Sequence, residues 1–123
     1  MSFYEVVFIV KQDASAGRVE QVTNEYIALI KEHGGEVTKT EFCGLRYLAY
    51  PIKKNRRGHY VLLNVVLEQD HVRELERKLS LNEDILRSLI VKVEILDNNP
   101  SALMRRSYKD NVPVQQQAQQ NEE

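Results

Sequence analysis

Four runs rich in β-branched and aromatic residues alternate with two stretches of helical periodicity, and their order constrains the fold more than any other feature. Phe3 to Val10 (FYEVVFIV) reads as a buried strand, because such side chains fit a pleated, packed surface. Lys11 to Gly17 is a turn, with Asp13 or Ser15 available to cap a helix starting there. Val19, Val22, Tyr26, Leu29 and Ile30 then recur at helical spacing and make one apolar stripe. His33-Gly34-Gly35 ends that helix, since glycine accepts the left-handed conformation common at a C-terminus. Glu36 to Ile52 reads as a second, longer strand, broken or bulged near Gly44. Lys53 to Gly58 reads as a polar connection and Tyr60 to Leu67 (YVLLNVVL) as the third strand, so the two strands form a hairpin. Asp70 is placed to cap a second helix in which Val72, Leu75 and Leu79 face inward. After a loop from Ser80 to Asp84, Ile85 to Ile95 (ILRSLIVKVEI) is the fourth strand.

The order is βαββαβ, which predicts an α+β, ferredoxin-like arrangement: a four-stranded antiparallel sheet with two helices on one face and the other face open. A chain of 123 residues suffices for one modest core. Residues 1–98 make up that domain. Beyond Asn98-Asn99-Pro100 the apolar periodicity stops, and residues 99–123 read as an extended to disordered C-terminal tail, glutamine-rich from Asn111 to Glu123. Within it, Leu103, Met104, Arg105, Arg106 and Tyr108 mix apolar and basic character, as in a segment that orders against a partner.

Composition narrows the function. No apolar run approaches the roughly 18 residues that a membrane-spanning helix needs, and Met-Ser-Phe-Tyr-Glu lacks the charged start and apolar centre of a secretory signal. The lone Cys43 excludes an internal disulfide and fits a reducing compartment, so a cytoplasmic location is expected. His33, His59 and His71 stand at unrelated places in the sequence, and no CxxC or Cys–His spacing suggests a metal. Five glycines, none arranged as a phosphate loop, complete a pattern without catalytic residues, cofactor or small-molecule substrate.

Charge is distributed unevenly. The chain carries 17 basic and 18 acidic residues, a net charge of −1, so any contact with a polyanion must be local. From Phe42 through Leu67 there is no Asp or Glu, whereas Arg46, Lys53, Lys54, Arg56 and Arg57 all fall there, followed by His59. On a hairpin these cations can meet phosphate oxygens, Arg through a planar two-pronged geometry and Lys as a point charge. Tyr47, Tyr50 and Tyr60 accompany them, and strand tyrosines more often pack than stack on bases. Arg46, two and four residues before Leu48 and Tyr50, is expected to share their face, stacking on Tyr50 or reaching outward. The RNA recognition motif is a poor match: Arg57-Gly58 begins its signature, but His59, Val61 and Asn64 stand where it wants aromatic rings.

At GLRYLAYPI the chain resembles the bacterial ribosomal small-subunit protein six family, through Gly44, Leu45, Arg46, Leu48, Ala49, Tyr50, Pro51 and Ile52. Tyr4-Glu5, Lys54 ahead of Gly58 and Tyr60, Leu86-Arg87 and Lys92 are further matches, and the similarity spans roughly residues 3 to 96. Some members carry basic residues ahead of the matching tyrosine; Ser2 and Phe3 stand there in this chain, so no N-terminal RNA contact is carried over. The resemblance implies a structural protein of the small subunit, binding small-subunit ribosomal RNA as a heterodimer with ribosomal protein eighteen. It implies RNA contacts at Arg46, Arg87 and Lys92; Lys53, Lys54, Arg56 and Arg57 are added on the strength of the acid-free charge run. The tail segment with Leu103, Met104, Arg105, Arg106 and Tyr108 is then expected to lie against the partner. The competing reading is a small regulatory or acylphosphatase-like domain of the same topology. It would need a phosphate-cradling loop with an arginine aimed into it, yet KQDASAG holds no arginine and one glycine.

Overall fold

The computed structural model describes residues 1–95. Its elements are β1 (Ser2–Lys11), α1 (Ala16–Glu32), β2 (Glu36–Ile52), β3 (Asn55–Leu67), α2 (Gln69–Leu81) and β4 (Ile85–Val93), the expected βαββαβ order. The strands form one antiparallel sheet in the order β2-β3-β1-β4. Leu103, Met104, Arg105, Arg106 and Tyr108, and the tail boundary, lie outside the described residues.

The alternation of a strand decides which face is core. On β1, Tyr4, Val6, Phe8 and Val10 are buried; Tyr4, Val6 and Phe8 pair with Val65, Leu63 and Val61 of β3, and Leu67 is buried on the same face. Val19, Val22, Tyr26 and Ile30 of α1 pack on them, with Leu75 and Leu79 of α2. Phe8 and Tyr26 meet at 5.8 Å between ring centroids, tilted by 54°. The Tyr26 hydroxyl donates to the Lys78 carbonyl (3.2 Å) and accepts from Asn82 Nδ2 (2.9 Å), tying the two helices together. Burial raises the Tyr26 pKa above its ordinary value, against the pull of the Asn82 bond. Residues of the opposite parity, such as Phe3, Val7, Leu89 and Val91, lie on a second face that no described helix covers, and Leu89 is 60% exposed.

Boundaries largely follow local chemistry. Ser15 caps α1, its Oγ accepting from the Arg18 amide at 3.1 Å. Gly34 follows the His33 C-cap at φ +81°, the left-handed conformation expected there. Asp70 does not cap α2: Glu68 holds that position without a side-chain bond, and Asp70 lies in the first turn, where its charge favours the positive end of the helix dipole. The helix runs on to Leu81, and β4 stops at Val93, two residues short of Ile95. His33 and His71, distant in sequence, have stacked rings 4.6 Å apart, because the end of α1 meets the first turn of α2.

The largest difference from expectation is the β2–β3 connection. The turn is Lys53-Lys54 alone, with φ +48° and +69°, and β3 begins at Asn55. Positive φ at both turn residues matches the twist of the flanking strands, so a two-residue turn suffices and Arg56 to Gly58 enter the strand. The irregularity near Gly44 is present: the register shifts between Phe42 and Gly44, with Gly44 at φ +90°.

Candidate nucleic-acid interface

The β2–β3 hairpin projects past the body of the sheet. Pairing of β1 with β3 ends at Lys11↔Gly58, and beyond it β2 and β3 have only each other. A side chain at position 58 would overlap Ile9 Cγ2, so glycine lets the two strands cross closely where the hairpin departs. Further out the ladder is interrupted. Between the pairs Tyr47↔Arg57 and Ile52↔Asn55, β2 carries Leu48, Ala49, Tyr50 and Pro51, where β3 has only Arg56. Pro51 has no amide hydrogen to offer a ladder, and the extra length bends β2.

That bend breaks the alternation from which a shared face for Arg46 and Tyr50 is expected. Arg46 bonds to the backbone of its own strand. Its Nε donates to the Cys43 carbonyl at 2.9 Å, closing the bulge, while Arg87 of β4 has its guanidinium 5.3 Å from the Tyr50 ring centroid. A second such pair forms on the hairpin itself, with Arg57 5.8 Å from the centroid of Tyr47. Tyr47 and Tyr50 are each 53% exposed, so both rings keep a surface toward solvent, whereas Tyr60 is half-buried and packs as strand tyrosines usually do. Burial raises the Tyr60 pKa; Arg46 and Arg87 oppose that shift, which places both guanidinium groups in the electrostatic reach of one phenol.

The structure therefore brings Arg46 and Arg87 together around Tyr50 and Tyr60, beside a tip carrying Lys53, Lys54, Arg56 and Arg57. Those four tip residues are exposed, and none makes an ion pair among the described residues. Elsewhere basic side chains find acids: Lys11 and Arg18 meet Asp84, and Arg77 and Lys78 meet Glu74. The contrast follows the sequence, in which no Asp or Glu occurs from Phe42 through Leu67. Lys92 stands apart. It pairs with Tyr4 rather than with the Ile9 row that holds Arg87, and so points to the opposite side of the sheet. Five residues along a strand are about 17 Å, which also separates it from Arg87 along β4.

Two uncharged residues, one of them outside the basic run, hold the hairpin in place. Gln12 Oε1 accepts from the amides of Arg56 (3.2 Å) and Arg57 (3.1 Å), while the Gln12 amide donates to Asn55 Oδ1 (3.0 Å). Asn55 Nδ2 in turn donates to the carbonyls of Ile52 (3.3 Å) and Lys53 (3.1 Å), bracing the turn. Asparagine next to a turn is a recognised signal for such bonds; nothing in the sequence singles out Gln12. Arg18, the nearest arginine to the β1–α1 turn, lies in α1, where its Nε donates to Asp84 Oδ2 at 3.0 Å. The guanidinium is thus engaged by a carboxylate and does not furnish an acylphosphatase-like anion cradle. No group of three or more potential metal ligands occurs among the described residues, and none of their helices is long and apolar enough to cross a membrane.

Residues 3–92 match the family model for ribosomal protein S6. The chain belongs to the ribosomal protein S6 family. Among similar proteins, the small ribosomal subunit protein bS6 of Paramagnetospirillum magneticum is 50% identical over 113 residues, covering 92% of this chain and 78% of the relative. That of Rickettsia prowazekii is 40% identical over 114 residues, covering 93% of this chain and 94% of its own. The crystal structure of ribosomal protein S6 from Thermotoga maritima superposes with a TM-score of 0.71 at 26% identity, covering 75% of this chain and 87% of that one. Membership makes this a small-subunit ribosomal protein of a non-enzymatic family, working in the cytoplasm where ribosomes do.

Proposed function

We propose that the β2–β3 hairpin, with Arg46 and Arg87 behind it, is the surface through which this family member binds small-subunit ribosomal RNA. The observation that carries the reading is the unneutralised tip: Lys53, Lys54, Arg56 and Arg57 are exposed, lack ion pairs among the described residues, and stand in a segment without acid. Phosphate contacts supply most of the affinity of such surfaces and carry no base specificity. Tyr47 and Tyr50, each backed by a guanidinium, add faces on which an unpaired base can stack. Lys92, on the other side of the sheet, would reach a separate stretch of RNA.

Ribosomal protein eighteen is the proposed partner in a heterodimer. The helix-free face of the sheet supports this reading, because Phe3, Leu89 and Val91 are 37%, 60% and 42% exposed and form an apolar strip along β4 and its neighbour. The segment with Leu103, Met104, Arg105, Arg106 and Tyr108 is assigned to the same contact.

The RNA reading is tested by replacing Lys53, Lys54, Arg56 and Arg57 together with Gln and titrating small-subunit ribosomal RNA across a range of salt. Every phosphate that loses its cation should lower the slope of log affinity against log salt by about 0.7 to 0.9. An unchanged slope would mean that the tip is merely solvated.

A further inference from the structure

We propose that Gln12 is a positioning residue for RNA binding: through its side chain the β1–α1 turn aims the basic hairpin, with Asn55 as its reciprocal partner. The inference rests on the reading of that hairpin as the RNA surface. The hairpin needs such a device. Past Lys11↔Gly58 it is a two-stranded ribbon, and an isolated pair of strands is marginally stable in water. This one is weaker still, because Leu48 to Pro51 interrupt its ladder.

Gln12 sits where it can compensate. One side-chain oxygen accepts from two successive backbone amides, those of Arg56 and Arg57, directly beneath two of the four tip cations. The reverse bond, from the Gln12 amide to Asn55 Oδ1, makes the attachment a two-way clasp. The turn that carries Gln12 is itself fixed to the body. The Lys11 amide donates to the Asp84 carbonyl at 2.9 Å, Lys11 Nζ meets the Asp84 carboxylate at 3.1 Å, and Arg18 holds the same carboxylate from α1. A rigid chain of contacts therefore runs from the α2–β4 loop through Asp84, Lys11 and Gln12 to the hairpin. On the opposite flank, Arg87 and Tyr50 tether β2. With both attachments made, the spacing between the tip cations and the Arg46–Arg87 pair is set before RNA arrives, and the ordering cost of binding falls.

Gln12 carries no charge, so its removal separates positioning from electrostatics. In the full-length chain, Gln12→Ala should speed amide hydrogen exchange at Arg56 and Arg57 by tenfold or more, on the order expected when local closure is lost. Exchange at Val61 and Leu63, inside the sheet, should stay unchanged. Affinity for a full-length small-subunit ribosomal RNA transcript, measured with protein eighteen present, should fall about three- to tenfold. The salt slope should remain that of the unaltered chain, because no cation has been removed. Gln12→Glu keeps an acceptor at the same reach and should keep the slow exchange. Asn55→Ala should reproduce the loss of affinity, and the double variant should bind no worse than either single one.

Unchanged exchange at Arg56 and Arg57, or equally fast exchange in Gln12→Glu, would overturn the clasp. Faster exchange with full RNA affinity would show that hairpin aim is irrelevant to binding. If the unaltered chain fails to bind the RNA, the reading of the hairpin itself falls, a failure visible before any variant is compared.

Discussion

The guanidinium of Arg87 lies 5.3 Å from the centre of the Tyr50 ring, although Arg87 belongs to β4 at one edge of the sheet and Tyr50 to β2 at the other. The contact spans the sheet because the extra residues before Pro51 bend β2 toward β4. Pairs of this kind at exposed sites contribute about 0.5 to 1 kcal/mol. Tyr50→Leu and Arg87→Gln should each lower urea stability by roughly that amount, and together by no more than either alone. Additive losses would show that the two side chains act independently.

Arg46 differs from the tip cations in being half-buried and bonded to the Cys43 carbonyl, so it serves the fold as well as any ligand. Arg46→Lys removes the fixed Nε donor and should cost about 1 kcal/mol of stability. Chemical denaturation would measure it. A variant as stable as the original would indicate that the bulge at Cys43 and Gly44 holds without this bond.

Asp84 has its pKa lowered, first by the hydrogen bond from Arg18 and then by that from Lys11. A depressed folded pKa stabilises the protein above the ordinary carboxylate value of 3.8, and that contribution is lost as pH falls through the folded pKa. Stability measured from neutral pH downward should therefore begin to drop near pH 4 and continue dropping below it. Asp84→Asn should be less stable at neutral pH and show a shallower acid decline. Equal acid slopes in the two proteins would assign the decline to other carboxylates.

Gly58 is set against Ile9 so closely that any side chain must displace it, and the Val10 carbonyl is 3.3 Å from where a Cβ would stand. Gly58→Ala should destabilise by about 1 to 3 kcal/mol, the usual cost of overpacking. Thermal unfolding reads this directly. In an Ile9→Ala background, where the struck Cγ2 is gone, Gly58→Ala should cost less than it does in the unaltered chain.

Much of the fold was legible in the residues themselves because local signals and the global pattern agree. The β-branched and aromatic run from Phe3 to Val10, the helical stripe from Val19 to Ile30 and the stops at Gly34 and Gly35 all depend on neighbours close in sequence, as does the cap offered by Asp13 or Ser15. The GLRYLAYPI motif likewise pointed to the S6 family, to which the match over residues 3–92 assigns the chain. The accumulation of basic residues at the hairpin was visible for the same reason, as a run without acid.

Contacts made across long separations were not legible in this way. Lys53 and Lys54 have side chains that seldom favour positive φ, and only the pairing of β2 with β3 forces a two-residue turn there. Arg87 reaches Tyr50, His33 stacks on His71 and Gln12 holds Arg56 and Arg57 because strand order, helix crossing and a bend at Pro51 deliver them to one another. The order of residues specifies which elements form and where positive charge accumulates, since both are sums over near neighbours. The direction in which that charge points comes from the folded chain, because it depends on a few directional bonds between segments that only folding brings within reach.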